Sequence, residues 1–190
     1  MNVLLINGSP HRQGCTYTAL AEVAAQLETA QIATNIIHIG NQAIHGCTAC
    51  RACAETGYCV FQNDKVNEFI DLARQADGIV IGSPVYYAAP NGAFCAFLDR
   101  MFFLKHGVFE YKPAAAVVSC RRGGASAAFD RLNKYFTIAN MPVVSSQYWN
   151  AVHGMTPEEV KQDLEGMQIM RTLGRNMAWL LQCINVAKAT

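Results

Sequence analysis

With 190 residues, 52% of them hydrophobic and only 15% charged, the chain is expected to form one soluble globular domain with an ample core, spanning 1–190. A formal net charge of +1 gives no broad electrostatic pull toward nucleic acid or a membrane surface. No signal peptide precedes the first apolar run and no run is long enough to span a bilayer, so the expected location is cytoplasmic. Eight cysteines in that compartment point to metal or redox chemistry, or to buried thiols, rather than to a disulfide framework.

Val3-Leu4-Leu5-Ile6 reads as a first strand. The small polar loop Asn7 to Thr16 follows it, then a helix with Leu20, Val23, Ala24 and Leu27 on one face. Ala33 to Ile39 reads as a second strand, and residues 44–63 form an irregular insertion holding four cysteines. A helix over Lys65–Ala76 leads to the short apolar strand Gly78–Gly82, the loop Ser83–Gly92 and a helix from about Ala93 to Leu104. Ala114–Val118 reads as the fourth strand, Ser119–Gly124 as its loop, Ala125–Ile138 as a helix and Pro142–Ser146 as the fifth strand. Thr156 fits the N-cap of one last long helix, with Pro157 at its first position and Glu158 and Glu159 in its first turn.

Five alternations of strand and helix predict an α/β fold: a five-stranded parallel sheet covered on both faces, in the flavodoxin-like order 2-1-3-4-5. A ligand in such a sheet sits beyond the strand carboxyl ends, next to the switch between strands 1 and 3. The loops after strands 1, 3 and 4 are then the candidate site. In the first, a helix start aims unpaired N–H groups at whatever the loop holds, and an anion is the expected guest. Ser9 and Thr16 add hydroxyls, Gly8 and Gly14 allow tight turns, and His11 or Arg12 can add charge. Neither Gly-x-Gly-x-x-Gly nor Gly-Lys-Ser/Thr is present, so a terminal monophosphate suits this loop better than a triphosphate. An ordinary strand-to-helix turn is the alternative. Ser83 to Tyr87 offers backbone N–H groups and aromatic faces to a planar ring, unless Tyr86 and Tyr87 merely cover the core. Arg121 and Arg122 are charges for a reduced ring or a nicotinamide phosphate, or solvated surface.

Asn7-Gly8-Ser9-Pro10 with Gly14 and Thr16, then Ser83-Pro84-Val85-Tyr86, then Arg121-Arg122-Gly123-Gly124, resembles the NADPH-dependent FMN reductase family of flavodoxin-like flavoproteins. The likeness extends to Asn140–Val144 and Ser146–Asn150. It implies FMN, with its phosphate held by Ser9, His11, Gly14, Cys15 and Thr16. It places the ring against Pro84, Val85, Tyr86 and Tyr87, with Ser119, Arg121, Arg122 and Gly123 beside it. Two positions depart from the family pattern: many members have arginine at the His11 position and asparagine at the Cys15 position. Arg12 compensates for the first; the second removes an amide donor. The implied activity is NAD(P)H-dependent reduction of a flavin, quinone or similar acceptor, with no conventional acid–base residue, because FMN does the hard chemistry.

Cys47, Cys50, Cys53 and Cys59 follow the spacing Cys-x2-Cys-x2-Cys-x5-Cys. Four thiolates this close can wrap a compact metal centre, iron–sulfur or tetrahedral zinc, or remain reduced thiols. The spacing resembles the iron–sulfur flavoproteins, a branch of the same fold. That resemblance implies a 4Fe–4S cluster and a second reading, an electron carrier exchanging electrons with ferredoxin. A third is a redox sensor whose cysteines respond to oxidation. Cys95 and Cys183 read as buried small hydrophobes. Trp149, Phe102 and Phe103 can line either the core or a subunit contact of a homodimer or homotetramer, and His153 can face the substrate side.

Overall fold

A computed structural model describes residues 1–104 and 107–189. Its sheet contains β1 (Asn2–Asn7), β2 (Ala33–His38), β3 (Gly78–Tyr86), β4 (Ala89–Pro90), β5 (Ala114–Cys120) and β6 (Ala151–His153). The order is β2-β1-β3-β5-β6, and β4 pairs only with the tip of β3. All main-path pairings are parallel, in registers such as Leu5↔Ile36, Leu5↔Val80 and Val80↔Ala115. With the β4 hairpin set aside this is the expected 2-1-3-4-5 order.

Alternation along each strand feeds two separate cores. Val3, Leu5, Val80, Ala115 and Val117 pack against α1 (Cys15–Thr29) and α7 (Leu164–Ala189). Leu4, Ile6, Ile79, Ile81, Ala116 and Val118 face α3 (Val66–Gln75), α4 (Gly92–Phe102) and α5 (Ala125–Ile138). Two shorter helices, α2 (Ala52–Thr56) and α6 (Pro157–Gln162), complete the described elements. No described helix is long and apolar enough to cross a membrane.

Four expectations need correction. The fifth sheet position is filled in two pieces rather than by Pro142–Ser146. That segment makes a single bridge, Ala114↔Val143. Ser145 and Ser146 are then drawn to α7: Asn176 Nδ2 donates to the Ser145 carbonyl (2.8 Å) and Ser146 Oγ to the Ile169 carbonyl (2.7 Å). Regular pairing resumes only at β6, with Ala151 opposite Val118. Second, Ser83–Tyr86 continues β3 instead of starting a loop. Third, the last helix is broken at Asp163, whose carboxylate accepts from Gly166 N (3.0 Å) and His153 N (2.7 Å) and so starts α7 afresh. Fourth, Cys183 is exposed and Cys95 only partly buried.

Candidate functional site

The three compositionally unusual loops gather at the carboxyl ends of β1, β3 and β5 because those strands are neighbours. They are also tied to one another. Gly8 N donates to the Gly82 carbonyl (2.8 Å), joining the first loop to β3. The hydroxyls of Thr16 and Ser119, both buried, meet at 2.8 Å and join the first loop to the end of β5. Gly124, with φ of 89°, lies against the β3–β4 turn, where an added Cβ would fall 2.8 Å from Ala88 Cα. The turn itself holds Tyr87 and Ala88 in left-handed conformations, φ of 51° and 60°, costly for non-glycine residues. Tyr86 is exposed and Tyr87 fully so, so neither ring covers the core.

The first loop is wired from within by Asn7, a motif residue outside the candidate ligand set. Asn7 is completely buried; its Oδ1 accepts from Ser9 N (3.0 Å) and its Nδ2 donates to the Arg12 carbonyl (3.1 Å). Ser9 is buried, and its hydroxyl accepts from His11 N (3.1 Å), so it shapes the loop. His38 Nε2 lies 2.7 Å from the Ser9 carbonyl. Gly14 caps α1 without a side-chain hydrogen bond, so no side chain of the cap competes for the first-turn N–H groups. Cys15 lies half-buried beside the Gly154 carbonyl (3.8 Å); burial pushes its thiol upward and keeps it neutral. His11, Arg121, Arg122 and Gly123 are exposed, and Pro84 and Val85 half-buried. A cavity of about 560 Å³ lies between the first loop, at Arg12 and Gln13, and β2, at Ile36 and His38, and one of about 300 Å³ lies beside Arg122, Trp149 and His153.

The cysteine loop sits apart from these. Cys47, Cys50, Cys53 and Cys59 line one small cavity of about 20 Å³ together with Arg100 and Phe103. Both neighbours of Cys50 are left-handed, Ala49 at φ 52° and Arg51 at φ 63°, so the chain bends sharply on either side of it. Cys53 is buried, its Sγ contacts the Phe103 carbonyl (3.0 Å), and burial raises its thiol. The later half of the loop docks on α3. Asn67 exchanges two hydrogen bonds with Cys59, from Cys59 N (2.8 Å) and to its carbonyl (2.9 Å). Arg74 donates to the Gly57 carbonyl (2.6 Å) and lies over the Tyr58 ring. As placed, no group of three or more described His, Cys, Asp or Glu side chains is gathered closely enough to hold a metal ion. The donor set still fits a thiolate-ligated cluster: four sulfurs on one cavity, beside a buried guanidinium that donates to one of them.

The strand order, with the loops gathered at the strand ends, defines a flavodoxin-like protein. Its structure is similar to a flavodoxin, WrbA-like protein from Agrobacterium tumefaciens, with a TM-score of 0.68 and 14% identity over 96% of this chain and 98% of that one. Residues 1–156 match the NADPH-dependent FMN reductase family, and the chain belongs to that family. It is an FMN-dependent oxidoreductase. Among curated proteins it is similar over nearly its whole length to two named iron-sulfur flavoprotein. One, from Methanocaldococcus jannaschii, is 30% identical over 97% of this chain and 99% of the relative. The other, from Methanosarcina thermophila, is 28% identical over 97% of each.

Proposed function

We propose that the chain is an NAD(P)H-dependent reductase of a flavin, quinone or similar small acceptor. The observation that carries this reading is the convergence of three strand-end loops, bonded to one another, in a chain of the FMN reductase family. When bound, FMN would supply the exchange between hydride and single-electron transfer, and in the second reading below a 4Fe–4S cluster would supply a one-electron store.

The residues present fit a bound FMN. Gly14, Cys15 and Thr16 would receive the phosphate at the start of α1, with Ser9 shaping the loop and His11 and Arg12 adding charge. Pro84, Val85, Tyr86 and Tyr87 would border one side of the ring. Ser119, Arg121, Arg122 and Gly123 would border the other, where the arginines favour a negatively charged reduced ring. Pinning the three loops together keeps these groups in place before the cofactor arrives, which lowers the cost of binding.

A second reading is favoured by a different observation, the four cysteines on one cavity, and by the likeness to iron–sulfur flavoproteins. In it Cys47, Cys50, Cys53 and Cys59 bind a 4Fe–4S cluster, and ferredoxin is the electron partner. Both readings place the protein in the cytoplasm as a homodimer or homotetramer. The test is anaerobic addition of NADPH or NADH to the FMN-loaded protein, followed by a quinone. The reductase reading predicts bleaching of the flavin bands and their return with quinone. Bands that respond to reduced ferredoxin and to neither nicotinamide would replace it with the carrier reading.

A further inference from the structure

Among the described residues Arg100 is the only charged one that is buried. It projects from α4 into the cysteine loop, and its contacts account for all five of its N–H groups. Nε donates to Cys59 Sγ at 3.1 Å. Nη1 donates to the His45 carbonyl (3.3 Å) and to the Asp64 carboxylate. Nη2 donates to the Phe61 carbonyl (3.1 Å) and to Asp64 Oδ1 (3.1 Å). These partners flank the cysteine run on both sides: His45 precedes Cys47, while Phe61 and Asp64 follow Cys59. His45 in turn stacks on Phe61, with ring centroids 4.1 Å apart.

Asp64 and the two carbonyls would suffice to anchor a buried arginine. The bond to sulfur is additional, and it engages one of the four candidate ligands.

We propose that Arg100 is a positioning residue that closes the cysteine loop and aims an N–H at Cys59 Sγ, setting the reduction potential of the centre that this cysteine binds. The redox half rests on the iron–sulfur reading above; the loop-closing half stands without it. An N–H donor beside a ligating sulfur stabilises the more negatively charged, reduced form of a cluster, so it raises its potential. Lysine keeps the charge but loses the planar fork that serves sulfur, carboxylate and carbonyls together.

The test compares the wild type with Arg100→Lys and with the double variant Arg100→Met, Asp64→Asn, which removes both charges at once. In metal-free protein, amide exchange over 57–66 should quicken about tenfold or more in the double variant, while the sheet stays protected. Unchanged exchange there overturns loop closure. In anaerobically purified protein, Arg100→Lys should retain iron and shift the cluster midpoint potential to a more negative value. A midpoint equal to that of the wild type overturns the role at sulfur. Wild-type protein without iron and sulfide removes the cluster reading and with it the redox half; the exchange comparison still decides whether Arg100 closes the loop.

Discussion

The strand-end loops and the cysteine loop are built in opposite ways. The first are extensions of parallel strands, tied together by short backbone and hydroxyl contacts such as Gly8 to Gly82 and Thr16 to Ser119. Their shape follows from the sheet. The cysteine loop has no strand within it and one five-residue helix. Its later half is carried by polar side chains of α3, and its two ends meet at the Arg100–Asp64 pair. A site on strand ends tolerates the loss of one contact because the backbone still holds it. A loop gathered by one buried ion pair does not. Burial alone would depress the Arg100 guanidinium; hydrogen bonds to Asp64 and Cys59 outweigh it and hold the group above its ordinary value.

That contrast orders the mutational effects. Arg100→Met with Asp64 left in place strands a carboxylate and should cost about 3–5 kcal/mol in urea unfolding. A loss below about 1 kcal/mol would erase the distinction between the two regions. In the strand-end loops, Gly124→Ala meets both a left-handed backbone and Ala88 Cα, for about 2–4 kcal/mol, and should weaken FMN binding about tenfold without altering the cysteine loop. Fluorescence titration with FMN reads this directly. Thr16→Val leaves the buried Ser119 hydroxyl without its partner and should cost about 1–2 kcal/mol, with a smaller fall in FMN affinity. Asp71→Ala breaks an exposed pair with Arg74 on α3 and should cost less than about 1 kcal/mol while leaving FMN binding unchanged.

The same contrast explains what could be read in advance. Val3–Ile6, Gly78–Gly82 and Ala114–Val118 announce themselves as strands because buried parallel strands are continuous apolar runs, and their order follows from the alternation with helices. The strand-end loops were legible because glycine, proline and hydroxyl residues cluster directly after those runs. Pro142-Val143-Val144 satisfies a strand pattern, but hydrogen bonds with α7, accepted by the Ser145 carbonyl and donated by the Ser146 hydroxyl, pull these residues out of line. Three-residue β6 carries too little pattern to compete. The cysteine spacing was plain, but its support was not. Arg100 sits on the buried face of α4 with Phe97 and Met101, a lone charge at a core position, and its partner Asp64 lies in a loop before another helix. On α3, Asn67, Asp71 and Arg74 form a polar stripe flanking the apolar face, and this stripe is the docking surface for the loop.

The most direct test of the account is the absorption spectrum of protein purified without oxygen, with iron and acid-labile sulfide measured on the same sample, for the wild type and Cys59→Ser. The iron–sulfur reading predicts flavin bands over a broad sulfur-to-iron shoulder, with about four iron and four sulfide per chain, and loss of the shoulder and the iron in Cys59→Ser while the flavin stays bound. Flavin bands alone in the wild type, or iron unaffected by Cys59→Ser, would contradict a redox centre in the cysteine loop.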